Sequence, residues 1–206
     1  MSAFSRKRRV IDPVALGRMC ARACRDTPHI LHFFPDPKRR ERDAAALYAM
    51  RIRYGLLYGE VHTSTTAGQA IAVWVPSSRA QMTTARQIRA GGIRLYRRVG
   101  RDAVARMTRV AQHNDALRRR SVAGDHLFLS VLAVDPDHQG QGHATRLLRP
   151  TLARLDDDRL AGYLELTEPD LIAFYRRFGF AEGAPSTVPG TKLTVWPMVR
   201  SPRAAG

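Results

Sequence analysis

Lysine is nearly missing from this chain: of its 34 basic residues only Lys7, Lys38 and Lys192 are lysine, and the rest are arginine. Cysteine is as scarce. Cys20 and Cys24 stand four apart in a helical pattern, which is neither CxxC spacing nor a disulfide framework, so both are expected as reduced core thiols. No apolar run approaches the roughly eighteen residues that a bilayer crossing requires, so no membrane insertion is expected. The start "SRKRRV" is basic, but "IDPVALGRMCARACRD" after it is interrupted by charge, so a signal peptide is not expected and a cytoplasmic location is. Internal repeats, low-complexity tracts, HExxH and other metal-ligand spacings are also missing, and no metal is expected.

What is present sets the class. A length of 206 residues with 44% hydrophobic side chains suits one well-packed domain, 1–206, with a basic tail over about 1–9. The formal net charge of +16 creates a field that attracts polyanions and repels polycations.

Along the chain, Asp12 as N-cap and Pro13 at the first helical position open a helix with apolar residues at 16, 19, 20, 23 and 24. Pro35 and Pro37 interrupt it, and a second helix is expected over Glu41–Ile52. "YGLLYGEVHTST" and "QAIAVWVPSS" read as a hairpin joined at "TAG". A basic helical insertion over about 79–122 follows, with twelve arginines between 79 and 120 and with Gly91, Gly92 and Gly100 dividing it into two or three helices. Then come the strand "HLFLSVLAV", a glycine stretch, a helix, the strand "GYLEL", the helix "LIAFYRRF" and a closing strand in "TKLTVWPMVR".

The glycine stretch, "LAVDPDHQGQGHATRLL", joins a strand to a helix, where a bare backbone suits a phosphate-bearing ligand. A P-loop would need GxxxxGK[ST], and Gly142 is followed by "HATRLL" without lysine. A dinucleotide turn has more in its favour, with Gly140, Gly142 and a carboxylate, Glu165, ending the next strand. Against it, Thr145 stands where a third glycine belongs, "DPDHQ" separates strand from glycine, and the preceding elements are not βαβ units. The third ligand is the pyrophosphate of coenzyme A. Small residues at 140, 142 and 144 let backbone N–H groups converge at the positive end of the following helix.

The segment Gln139-Gly140-Gln141-Gly142-His143-Ala144 matches [Q/R]-x-x-G-x-[G/A] and resembles the acyl-CoA-binding motif of the GNAT superfamily of N-acetyltransferases. "GYLELTEPDLIAFYRRFGF" is similar to the second signature of that family, a strand, a loop and a short helix with a tyrosine ahead of Gly-Phe. The two stretches cover about fifty residues, and the hairpin fits the family's second and third strands, which leaves "RVI" before Asp12 for the first. The insertion, "AVWVP", "VDPDHQGQG" and Pro150 look most like the branch containing puromycin N-acetyltransferase. Leu171 departs from that branch, where an asparagine contacts the cofactor arm.

The resemblance implies an α/β fold: a mixed, mostly antiparallel twisted sheet of six or seven strands flanked by helices, with the helical insertion after the third strand. It implies acetyl transfer from acetyl-CoA to a primary amine of a small molecule by direct attack. Ala133, Val134 and Gln139 through Thr145 would bind the cosubstrate, the strand at 126–134 splaying from that at 162–166 to admit its pantetheine arm. Tyr175 would protonate the departing thiolate. Glu60, at a strand end, is the first candidate for general base, and Glu168 and His126 are further ones. Glu165 reads instead as a fold residue beside its strand, and Arg146 and Arg149 as helpers to cofactor phosphates or plain solvated charges.

For the acceptor, the positive field favours monoamines, amino-nucleosides or peptide N-termini over polycations. A peptide N-acetyltransferase, or a non-catalytic binder of CoA or nucleic acid, are the alternatives, and a monomer or homodimer is expected.

Overall fold

The computed structural model describes residues 11–64 and 68–203. The expected first strand therefore lies outside the described residues except for Ile11, which is in no strand, and the basic tail lies outside them entirely. Three helices come first: α1 (Pro13–Ala23), α2 (Pro28–Phe33) and α3 (Pro37–Tyr58). As its sequence implies, α1 is capped by Asp12, whose Oδ1 accepts from Val14 N–H at 2.8 Å, and Asp36 caps α3 in the same way through Lys38 N–H at 2.9 Å. Gly17 on α1 meets Ala45 and Ala49 on α3 so closely that a Cβ there would lie 2.6 Å from Ala45 O.

The third helix runs further than its expected Glu41–Ile52. "YGLLY" reads as strand by its apolar run, but the structure coils it: Tyr54 is buried while Leu56 and Leu57 are exposed, a helical rather than an alternating pattern. Gly55 lets α3 lie directly on the sheet, where a Cβ would come 2.4 Å from Val73 Cγ1.

The strands are β1 (Glu60–Thr63), β2 (Ala70–Pro76), β3 (His126–Val134), β4 (Ala161–Leu166), β5 (Ala181–Glu182), β6 (Ser186–Thr187) and β7 (Thr194–Arg200). Among the described residues they form a seven-stranded sheet in the order β1-β2-β3-β4-β7-β5, with β6 also on β7. Every pairing is antiparallel except β3 with β4. Between β2 and β3 lie α4 (Ser77–Ala80), α5 (Thr84–Arg89) and the thirty-residue α6 (Gly92–Ser121), which Gly100 breaks at φ 81° and ψ 174°. The last helices are α7 (His143–Asp157) and α8 (Ile172–Arg176).

Strand β2 is apolar at consecutive positions because both of its faces are covered. Ile71, Val73 and Val75 join the core under α1, α3 and α6, whereas Ala70, Ala72 and Trp74 join the core under α7 and α8. The stripe Leu147, Leu148, Leu152 and Leu155 seats α7 on that second face. Among the described residues no helix is long and apolar enough to cross a membrane.

Candidate active site

Strands β3 and β4 hold together only at their beginnings. Their register runs from His126↔Ala161 through Phe128↔Tyr163 and stops there. Beyond it, β3 continues on β2 and β4 on β7, so a gap opens between two strands whose facing backbone groups have no strand partner across it. Asp135 N–H donates to Gln69 O at 2.8 Å. By antiparallel alternation the backbone of Ala133 is therefore turned to β2, and that of Leu132 and Val134 to the gap. Of the two positions expected to meet a pantetheine arm through the main chain, Val134 is the one so oriented.

At the outer end of the gap the chain turns through Pro136–His138 and enters α7. Gly140 (φ 75°) and Gly142 (φ 76°) are both left-handed, and this conformation, not crowding, explains the glycines: a Cβ at Gly140 would meet nothing within 4 Å. The first bond of α7 is from Arg146 N–H to Gly142 O at 3.1 Å, which leaves the N–H groups of His143, Ala144 and Thr145 without helical acceptors. Gln139 reaches back from the loop to Val134 O at 3.4 Å. The imidazole of His143 lies inward, accepting from Arg146 Nη2 at 3.2 Å, and desolvation with the nearby Arg146 and His138 lowers its pKa. Gln141, Gly142 and Arg146 are exposed.

Inside the gap lies a cavity of about 530 Å³, walled by α2, α3, α5 and α6 and by residues 128–132 of β3 and 164–168 around the end of β4. Much of its wall is apolar, including Phe33, Met50, Ile93, Met107, Val110 and Phe128. Tyr175 borders it, its ring buried against Phe174 and Phe180. Burial, with Glu168 next in effect, pushes the Tyr175 phenol pKa up, so the hydroxyl keeps its proton. Leu171 also borders the cavity.

By its place in the sequence Glu165 reads as a fold residue. The structure puts its carboxylate on the cavity wall, where it accepts from Asn114 Nδ2 at 2.7 Å and Tyr163 Oη at 3.1 Å. Burial pushes its pKa up to about 7, against the charge of Arg118 and those two hydrogen bonds. Arg118 is itself taken by Asp115 at 2.6 Å. The signal missing from the sequence is Asn114, fifty-one positions away on the inserted α6.

A second polar chain supports the end of β4. Thr167 Oγ1 donates to Glu168 Oε2 at 2.6 Å and lies 3.0 Å from His29 Nδ1, while His29 Nε2 lies 3.2 Å from Tyr48 Oη. With Thr167 donating onward, His29 donates from Nδ1 and accepts from Tyr48. Burial, helped by the Arg51 charge, lowers the His29 pKa to about 3, so the ring is neutral.

Glu60 is not brought to this cavity. It pairs with Trp74 across the β1–β2 ladder, so it shares the face of the sheet that carries α7. There it accepts twice from Arg154 Nη2, at 2.8 and 2.9 Å. Partial burial raises its pKa, but the bonds from Arg154 and His62 outweigh this and hold it below the usual carboxylate range. The strand-end position suggests a base, and the pleat puts Glu60 on the face that carries α7, away from this cavity. His126 also lies outside the cavity lining, its Nδ1 2.9 Å from Gly124 O and its ring against Tyr163.

Residues 85–182 match the family model described as the acetyltransferase (GNAT) domain. Among solved structures, the Corynebacterium glutamicum protein described as histone acetyltransferase HPA2 and related acetyltransferase is 20% identical, with a TM-score of 0.63 over 94% of this chain and 93% of that one. An arylalkylamine N-acetyltransferase 7 of the yellow fever mosquito, itself described as putative in that function, is 18% identical, with a TM-score of 0.57 over 91% of this chain and 81% of that one. These likenesses establish the GNAT fold, a mixed seven-stranded sheet flanked by helices.

Proposed function

We propose that this GNAT-fold chain is an acetyl-CoA-dependent N-acetyltransferase acting on a primary amine of a small molecule. The observation that carries the proposal is the cavity in the β3–β4 gap, which places a protonated phenol, Tyr175, and a carboxyl with a pKa of about 7, Glu165, on one wall system.

The residues fit the cosubstrate. Free N–H groups at 143–145, at the positive end of α7, suit its pyrophosphate, with Gln139 through Thr145 as the cradle. The backbone of Val134 suits the amides of its pantetheine arm, and that of its β3 neighbour Ala133 is turned to β2 instead. Acetyl-CoA supplies an acyl group already activated as a thioester; the side chains of this protein move protons. An alkylammonium with pKa near 10 is only about one part in a thousand free base at pH 7, a barrier contribution of roughly 4 kcal/mol. Glu165 takes up that proton, and because its own pKa lies near 7 it is ionised often enough to accept and basic enough to hold it. As the N–C bond forms and the C–S bond breaks, Tyr175 Oη donates to sulfur. Glu60 has no part in this scheme.

The acceptor class follows from the walls. Glu165 and Glu168 attract one ammonium group, the third lining carboxylate, Asp115, is paired with Arg118, Arg51 also borders the space, and most other lining residues are apolar. That suits a monoamine with an apolar or aromatic body better than a polyamine. Enclosure by α5 and α6 favours a small molecule over a protein terminus. The likeness to the puromycin N-acetyltransferase branch gives one amino-nucleoside to try.

The test is acetyl-CoA-dependent thiol release with arylalkylamines, puromycin, polyamines and short peptides. Turnover of an apolar monoamine, reduced roughly 100-fold in Tyr175→Phe while acetyl-CoA still raises the Tm of the variant, supports the reading. Absence of any acetyl-CoA stabilisation in the wild type overturns it.

A further inference from the structure

The arginines of the insertion are not absorbed by the cavity, and several converge elsewhere. A groove of about 820 Å³ runs along the outer face of α3, between α1 and the first turns of α6. Its floor is Ala45, Ala46 and Ala49. Lys38 and Arg42 stand at one end of this α3 face and Arg53 at the other, a span of fifteen residues or about 22 Å of helix. Arg18 contributes from α1, and Arg94, Arg97 and Arg98 form the wall on α6, one turn apart on one face. Against these seven cations Glu41 is the one carboxylate among the described lining residues.

Part of the charge is organised from beneath. Asp43, buried at 5% exposure, lies 3.2 Å from Arg98, 3.4 Å from Arg39 and 3.7 Å from Arg42, fixing these guanidinium groups around one carboxylate. Arg18, Lys38, Arg53, Arg94 and Arg97 have no ion pair among the described residues. Five unpaired cations around one concave surface repel one another, and a ligand with several negative charges relieves that repulsion.

We infer that this groove is a binding site for a phosphodiester strand, separate from the catalytic cavity. Three features specify the ligand. The cations, six arginines and Lys38, are spread over about 22 Å, which suits a row of phosphates rather than one. The small floor residues leave room for a backbone to lie close to α3. No aromatic residue lines the groove among the described residues, so there is no stacking platform and the recognition is of backbone, independent of base sequence. Leu95 of α6 borders both the groove and the cavity, so the two sites lie on either side of that helix. The inference does not depend on the proposed catalysis.

The test uses the full chain and a short fluorescently labelled single-stranded RNA, followed by anisotropy as salt is varied. With about four phosphates engaged, log K falls with log salt at a slope of about −2.8, a loss of roughly 50-fold between about 50 and 200 mM. Arg94→Glu/Arg97→Glu should weaken binding at least tenfold at low salt and flatten the slope by about 1.4. Arg119→Glu/Arg120→Glu, at the far end of α6, changes the net charge equally and should lose less than threefold. Equal losses in the two double variants overturn the groove and leave only the general field, as does failure of the wild type to bind. Inorganic polyphosphate, a phosphoanhydride chain, at equal phosphate concentration tests the choice of a phosphodiester: tighter RNA binding supports it, and tighter polyphosphate binding overturns it. Unchanged far-UV circular dichroism and an unchanged urea midpoint in both double variants show that each is folded.

Discussion

Glu165 carries a pKa of about 7 because burial outweighs two hydrogen bonds and a nearby arginine that is already paired with Asp115. A base of this kind leaves a kinetic mark. The kcat/KM of the wild type should rise with pH through about 7, and Glu165→Gln should remove that limb while lowering the plateau, measured over a pH series with the best monoamine. Burial has the opposite consequence for His29, whose folded pKa of about 3 lies below the ordinary 6.5. Between those values this ring binds more proton in the unfolded chain than in the native one, so its contribution to stability falls as pH falls below about 6.5. At pH 5 the loss attributable to this ring is about 2 kcal/mol relative to pH 7.5. Glu165, raised to about 7, contributes in the opposite direction over this range, so the test is a difference: the change in urea-unfolding free energy from pH 7.5 to pH 5 should be about 2 kcal/mol less favourable in the wild type than in His29→Asn.

At the level of elements, two glycines act for different reasons. Gly142 is needed for its φ of 76°, with only Arg146 near a Cβ, at 3.6 Å. Gly142→Ala forces an L-residue into a left-handed turn at about 1–2 kcal/mol, which the loop meets by moving. Acetyl-CoA should then stabilise the variant less than the wild type in a thermal shift, with the unliganded Tm changed little. Gly17 is needed for space: a Cβ would sit 2.6 Å from Ala45 O and 2.9 Å from Ala49 N, on backbone that cannot give. Gly17→Ala should part α1 from α3 and cost about 1–3 kcal/mol in urea unfolding. The first was legible in the sequence, since glycine at 140 and 142 beside a strand and a helix points to a special backbone. The second was not, because a helix-helix contact leaves no local pattern. The end of α3 was misread for a related reason: an apolar run of five residues fits helix or strand until its partners are known.

Across the whole molecule, charge and cavity act on different ligands. The net charge of +16 opposes approach of any polycation, whereas the acceptor proposed for the cavity brings only one ammonium group. Polyamines should therefore be turned over with kcat/KM at least tenfold below that of an apolar monoamine at low ionic strength. The gap should narrow as salt screens the field, which a comparison at two salt concentrations would check. The inserted helices unite these roles. α6 gives Asn114 to the carboxylate in the cavity and Arg94, Arg97 and Arg98 to the groove.

The sequence by itself determined the glycine turn, the helix that follows it, the buried strands and Tyr175 ahead of Gly-Phe. Each of these is a local demand, on a backbone angle, on a period or on a short spacing, and neighbours in the chain express it. Only the tertiary structure decided which carboxylates face the cavity. Glu60 and Glu165 both stand on strands near polar neighbours, and which way each points depends on the register across the sheet and on what covers that face. The pleat turned Glu60 to Arg154 on α7, and the parting of β3 from β4 left Glu165 beside Asn114 on a helix from another part of the chain.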